Sequence, residues 1–220
     1  MHENYDVKQE MKKDWWLIGI ILLIWIFTFA VFGHLPDKIP MHWNISGQVD
    51  SYGPKQDVFI LPSVITVIYF LMVFVPLIDP KKANYSKFAG AYRMIRAVLV
   101  IILSILYFAA TYSALGYKVN MDRLGSAVIP VMLIAFGSAM GKLRHNYFVG
   151  IRTPWTLADE EVWNKTHQLG GKLWLIAGII GLFASFFSGT WVAVLMFVLL
   201  ITAVIVPIVY SYIIFKNEEK

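Results

Sequence analysis

Apolar residues in this chain come in unbroken runs, without the alternation of a half-buried strand or the narrow stripe of a surface helix. Six runs stand out: Trp15–Gly33, Val58–Ile78, Ile95–Tyr117, Gly125–Gly141, Leu173–Ser188 and Trp191–Phe215. Crossing a bilayer core takes about 20 residues of helix, within a range of about 17–25. Four runs meet that length, and the fourth and fifth need their flanks or local thinning to span. Inside lipid a segment must satisfy its own backbone groups, which makes helix the default. A β-barrel is excluded, because its strands would alternate. The pattern predicts an all-α integral membrane protein, a bundle of six transmembrane helices.

Composition agrees. The 220 residues are 58% hydrophobic and 15% charged, with mean hydropathy +0.64, where a soluble domain carries about 25% charged residues. The first run is no cleavable signal: fourteen mostly polar residues precede it and no small-residue cleavage pattern follows. Cysteine is absent, which excludes disulfides, thiolate metal sites, cysteine nucleophiles and palmitoylation.

Charge gives an orientation. Fifteen of the nineteen Lys and Arg residues fall in segments 1–14, 79–96, 142–172 and the tail after Phe215. The other four, Lys38, Lys55, Lys118 and Arg123, fall in the alternate connections. The positive-inside rule then places both termini in the cytoplasm. The net charge of +5 reads as topology and not as nucleic-acid binding, since no folded basic domain carries it. The expected organisation is a cytoplasmic segment 1–14, then a half 15–117 with three spans, an outside loop 34–57 and a basic inside loop 79–94. A second half 118–220 has three spans and a cytoplasmic loop 142–172. Short connections are expected at 118–124 and Ser188–Trp191. No internal repeat is evident.

No ionisable residue falls in the middle of any run, which argues against a proton-coupled pump. Pro62, Pro76, Pro130 and Pro207 mark local bends. Ala177, Gly181, Ser185 and Gly189 recur every fourth residue, and so share one helix face. With Gly137 and Gly141 in the fourth span they predict close helix packing, within the bundle in preference to a homodimer.

Two polar segments are richer than a connection needs. In the first, "LPDKIPMHWNISGQVDSYGPK" (35–55), prolines stiffen the exit from the first span and Gly47 and Gly53 permit turns. His42, Trp43, Asn44, Gly47, Asp50 and Tyr52 are its candidate recognition residues, on a loop ordered by Asn44 and Asp50 bonding backbone amides. A metal on His34, His42 and Asp50 is an alternative, and the sequon Asn44-Ile45-Ser46 is a frequent chance match. In the second, "VGIRTPWTLADEEVWNKTHQLGGKLW" (149–174), Pro154 holds Thr153 extended. Thr156 with Asp159 resembles a capping box. A short helix over 157–168 is expected, stopped by Gly170-Gly171, lying at the inner face with Trp155 and Trp163 at headgroup depth. Trp163 and His167 lie one turn apart, on a different face from Leu157, Glu160, Glu161, Asn164 and Gln168. Arg152 beside Gly150 suits a lipid phosphate or a carboxylate. Glu160 and His167 lack the spacing of a zinc motif. Neither segment shows a catalytic arrangement, so no enzyme, cofactor or metal is expected.

Together these segments carry a resemblance. The first is similar to the DUF1648 motif, P-x-x-I-P-x-H-[WF]-N-x-x-G-x-x-D. The second is similar to the C-terminal signature of the SdpI family, G-[IV]-R-T-P-W-T-L followed by W-x-x-T-H and a Gly pair. The resemblance implies a multi-pass protein of the bacterial cytoplasmic membrane. It also implies immunity to a secreted, membrane-active peptide toxin, and a receptor role in which a cytosolic transcriptional repressor is held at the membrane. On that basis the outside loop would meet toxin. Gly150, Arg152, Thr153, Pro154, Trp155, Thr156, Glu160, Trp163, Asn164 and His167 would form the cytoplasmic motif where a partner docks. A small transporter or channel is the alternative function, and a metal-dependent membrane enzyme the third.

Overall fold

The structure is a computed structural model and describes residues 5–44, 46–187 and 189–218, the last without its side chain. The sequon residue Ile45 and the turn residue Ser188 lie outside these. The elements are α1 (Val7–Lys13), α2 (Trp15–Phe32), β1 (Lys38–Trp43), β2 (Val49–Pro54), α3 (Ile60–Ile78), α4 (Tyr85–Ala114), α5 (Met121–Met140), α6 (Pro154–Ala158), α7 (Glu160–Ala184) and α8 (Thr190–Glu218). Short 3-10 turns at Lys55–Phe59 and Lys82–Asn84 lead into α3 and α4. Among the described residues six helical segments are long and apolar enough to cross a membrane: α2, 55–78, 82–114, α5, α7 and α8.

The chain forms two compact units. One holds residues 7–73 and 96–126, the other 74–95 and 127–218 with residues 5–6. The α3, α4 and α5 helices each run through both units.

In the first unit, Leu17, Ile21, Ile24 and Val31 of α2 pack with Ile65, Tyr69 and Val73 of α3 and Val100 and Tyr107 of α4. The spacings of three, four and seven put each set on one helix face. Thr28, Tyr107, Trp25 and Thr66 find hydrogen-bond partners inside this core. Thr28 bonds the Ile24 carbonyl at 2.6 Å and the Tyr107 hydroxyl at 2.7 Å, and the Trp25 indole donates to Thr66 Oγ1 at 3.0 Å.

In the second unit, α5 and α7 approach backbone to backbone. A Cβ added at Gly137 would sit 2.7 Å from the Leu175 nitrogen, and one at Gly178 2.7 Å from the Ile134 nitrogen. Pro207 lies inside α8 and has no N–H for the Ala203 carbonyl. The Trp174 indole of α7 supplies that donor at 2.8 Å.

Four expectations are corrected. The basic segment 79–94 is a loop only to residue 84, because α4 starts at Tyr85 and breaks pitch once, at Phe88. Arg96 therefore lies inside a span-length helix and is fully buried, so the spans are not free of charge. The helix expected over 157–168 does not stop at Gly170-Gly171. It begins at Glu160 and continues to Ala184, since both glycines are needed for close approach, to Ile151 and to the Gly137 carbonyl. The capping box is Thr153 with Thr156, with Pro154 in the first turn, while Asp159 separately caps α7.

Candidate functional site

The first candidate is the β1–β2 hairpin. Its strands pair antiparallel, from Lys38↔Pro54 to Trp43↔Val49, with irregular register around His42. The turn is closed by Asn44, whose side-chain oxygen accepts from the Ser46 and Gln48 amides at 2.9 and 3.1 Å. Gly47 has φ +72°, and a Cβ there would strike Asp122 at the start of α5, so this position needs glycine twice over. His42 and Asp50 come together across the strands: Nδ1 lies 2.6 Å from Oδ1, with both side chains exposed. A carboxylate on Nδ1 fixes the proton there and leaves Nε2 of the neutral ring as an outward-facing acceptor. Tyr52 is exposed and Trp43 partly so. Ile39 and Leu35 are buried and seat the hairpin. His34 does not join His42 and Asp50 in a metal-binding group: among the described residues no three His, Asp or Glu side chains converge.

The second candidate is built on α6, α7 and the loop 141–153. Trp163 and His167, one turn apart on α7, are both buried and stack with ring centroids 4.0 Å apart. The Trp163 indole donates to the Leu143 carbonyl at 3.1 Å. His167 Nε2 accepts from the Ile151 amide at 2.9 Å, so its proton sits on Nδ1, which meets the Trp163 carbonyl at 2.8 Å. Gly150 has φ +118°, and a Cβ there would overlap the His167 ring. The G-I-R-T-P-W…W-x-x-T-H pattern is thus a knot that wraps the loop around α7. Thr153 and Thr156 close it, bonding each other's backbone amides at 2.9 and 3.1 Å.

Residues outside the motif complete the knot. Asn146 is fully buried and all its bonds are local: the Phe148 and Val149 amides donate to it, and it donates to the Arg144 and Val149 carbonyls. Buried Asp79 accepts from Tyr85 Oη, the Tyr147 amide and the Lys81 amide at 2.9, 3.0 and 2.7 Å. Asn84 donates to the His145 carbonyl at 2.8 Å. His145 stacks near Trp163. Burial, and then the nearby Lys81 charge, push its pKa down, with Glu160, the Leu157 carbonyl and Asp79 opposing.

The structure therefore divides the expected docking residues. Thr153, Thr156, Trp163 and His167 are buried in the knot. Arg152, Pro154 and Glu160 are exposed, with Trp155 and Asn164 partly so. Of the packing set, Gly137, Ala177 and Gly181 are buried. Ser185 is partly exposed, and Gly141 and Gly189 are exposed. Gly170, Gly171 and Gly178, outside the predicted stripe, are also buried and make contacts of similar closeness. Asp79 and His145 gave no sequence signal, since folding alone brings Tyr147 to Asp79 and Asn84 and Trp163 to His145, whereas Asn146 bonds only its own turn. A third cluster was also missed. Arg96 Nη2 lies 2.5 Å from Asp14 and 3.3 Å from Glu10, and Lys13 bonds Glu10 at 3.0 Å.

A multi-pass helical membrane protein with an exposed His–Asp hairpin and a Trp–His loop knot is the class this architecture defines. Comparison with known proteins adds a likeness. The sequence model of the SdpI/YfhL protein family matches residues 142–211, and that of a domain of unknown function, DUF1648, matches 19–66. The chain is 29% identical over 207 residues to Immunity protein SdpI of Bacillus subtilis (strain 168), covering 94% of this chain and 98% of that one. It is 30% identical over 47 residues to an uncharacterized protein of Archaeoglobus fulgidus, covering 21% of this chain and 26% of that one. No solved structure matches. The chain is thus similar to the SdpI family at its C-terminal end and to Immunity protein SdpI over nearly its whole length, and it is a multi-pass protein of the bacterial plasma membrane.

Proposed function

We propose that this chain is an immunity protein that protects its cell from a secreted, membrane-active peptide toxin. The similarity to Immunity protein SdpI, which runs nearly end to end in both chains, carries this reading. The hairpin is the toxin's first contact, because it presents Nε2 of His42, Tyr52 and part of Trp43 on an ordered, exposed scaffold. The distribution of Lys and Arg supports an outward-facing hairpin and cytoplasmic termini. A cytosolic repressor, the partner the family resemblance implies, would dock on the exposed residues beside the loop, Pro154 and Glu160. The reading contains no enzymatic step.

Expression in a toxin-sensitive strain tests it. The wild-type chain restores growth, and His42→Ala or Asp50→Asn lowers the tolerated toxin dose about tenfold, the effect of losing roughly 1.4 kcal/mol at a contact. No protection by a well-expressed wild-type chain overturns the immunity reading. Full protection by both variants removes the hairpin from it.

A further inference from the structure

Where the loop knot meets α8 there is an open cleft of about 300 Å³. It is lined by Trp174 from α7, by Ala203, Val204 and Ile208 from α8, and by the loop residues Gly150, Ile151, Arg152 and Thr153. We propose that the cleft seats an anionic phospholipid, with its phosphate on the Arg152 guanidinium and an acyl chain against Trp174, Val204 and Ile208.

Three independent features favour this occupant. The first is access from lipid. The spanning part of α8 is the least covered of the six candidate spans, 17% buried against 28–39% for the others, and Val204 at the cleft is exposed. The Pro207 interruption and the Trp174–Ala203 bond that repairs it shape the wall. At about 300 Å³ the cleft sits at the low end of the roughly 300–1,000 Å³ typical of ligand sites, so it takes one chain end and not a folded segment.

The second is charge. Arg152 donates to the Tyr147 carbonyl at 3.0 Å, and among the described residues no ion pair involves it. Residues 142–152 contain Lys142, Arg144 and Arg152 and no Asp or Glu. A planar guanidinium with donors to spare binds a phosphate in bidentate fashion.

The third is depth. Trp155 and Tyr212 meet with ring centroids 5.0 Å apart, and such amphipathic rings collect at headgroup level. Tyr212 is eight residues beyond Val204 on α8, about 12 Å along the helix, and Lys216 follows one turn later. From Val204 to Lys216 this face passes from apolar to aromatic to cationic, which is the order of a phospholipid from chain to headgroup.

Native mass spectrometry of the purified full-length chain tests the proposal, with phosphatidylglycerol and phosphatidylcholine of matched chains as probes. The wild-type chain retains phosphatidylglycerol about tenfold better, the scale of one charge-assisted contact. Arg152→Gln removes the preference, and Arg152→Lys keeps part of it. Val204→Trp fills the cleft and removes bound lipid without changing the circular dichroism spectrum. Equal retention of the two lipids by the wild-type chain overturns the proposal, and so does an unchanged preference in Arg152→Gln. Displacement of the lipid by equimolar inorganic phosphate, or by a short peptide carboxylate, also overturns it and assigns Arg152 to a soluble anion. The wild-type comparison decides even if Val204→Trp fails to fold.

Discussion

At Arg96 a single guanidinium stands between two carboxylates, Asp14 at the α1–α2 junction and Glu10 on α1. All three side chains are within 4% of complete burial. Taking charges out of water is expensive, and only close pairing offsets it. Removing one partner is therefore worse than never having built the cluster. Arg96→Met is expected to lose about 3–5 kcal/mol of stability in detergent, and Arg96→Lys less, because an ammonium keeps the charge without the planar fork. Denaturant titration of the purified variants measures this. A loss under about 1 kcal/mol for Arg96→Met would mean that the cluster is solvated. His42 and Asp50 form a contrasting pair. They are exposed, so the geometry contributes little to folding and is free to serve recognition. His42 and Asp50 were legible as candidates because they sit in a motif, whereas the Glu10, Asp14 and Arg96 cluster was not. Arg96 lies 82 residues beyond Asp14, and nothing in local sequence reports that folding closes this distance.

Among the elements, the apolar runs located the six long helices but not their ends. Hydropathy reports where lipid-compatible residues are, and helix geometry does not stop where they stop. The α4 helix starts ten residues before its apolar run, and α7 thirteen before its own. The glycine pair 170–171 misled for a similar reason. In an isolated helix glycine costs about 1 kcal/mol, so the pair reads as a terminator, but in α7 it lets neighbouring groups approach. The hairpin was legible as an ordered turn and not as two strands, because Pro40, Gly53 and Pro54 are poor strand residues. The stripe rule for small residues found Gly137 and Gly181 but also exposed Gly141. Contact geometry separates them. Gly178→Ala puts a methyl 2.7 Å from the Ile134 nitrogen and 2.8 Å from the Pro130 carbonyl oxygen, where no flexible side chain can give way. It is expected to cost about 1–3 kcal/mol and to lower the thermal midpoint of the purified protein. Gly141→Ala meets nothing within 4 Å and should leave that midpoint unchanged or raise it. Equal effects of the two substitutions would remove the close α5–α7 approach as their cause.

For the molecule as a whole, the biology depends on which surfaces face which compartment. On the proposed function, toxin recognition would require the hairpin outside, and docking of a cytosolic partner would require the loop 141–153 inside. The argument for that orientation is the crowding of fifteen of nineteen basic residues into one set of connections, a bias that sets topology during insertion. The corrected helix boundaries leave it intact, since Lys81 and Lys82 still precede α4 and Lys142, Arg144 and Arg152 still lie between α5 and α6. Arg96 no longer counts, because it belongs to the buried cluster and not to a loop. The absence of cysteine makes the orientation directly measurable, because one introduced thiol is the sole reactive site. Ser51 in the hairpin and Lys142 after α5 are both exposed. In intact cells a membrane-impermeant maleimide is expected to label Ser51→Cys and to spare Lys142→Cys, which reacts only after permeabilisation. The reverse pattern would put the hairpin in the cytoplasm, where it could not meet a secreted toxin first. Labelling of both in intact cells would break the six-span topology itself, because an odd number of crossings must separate these two positions.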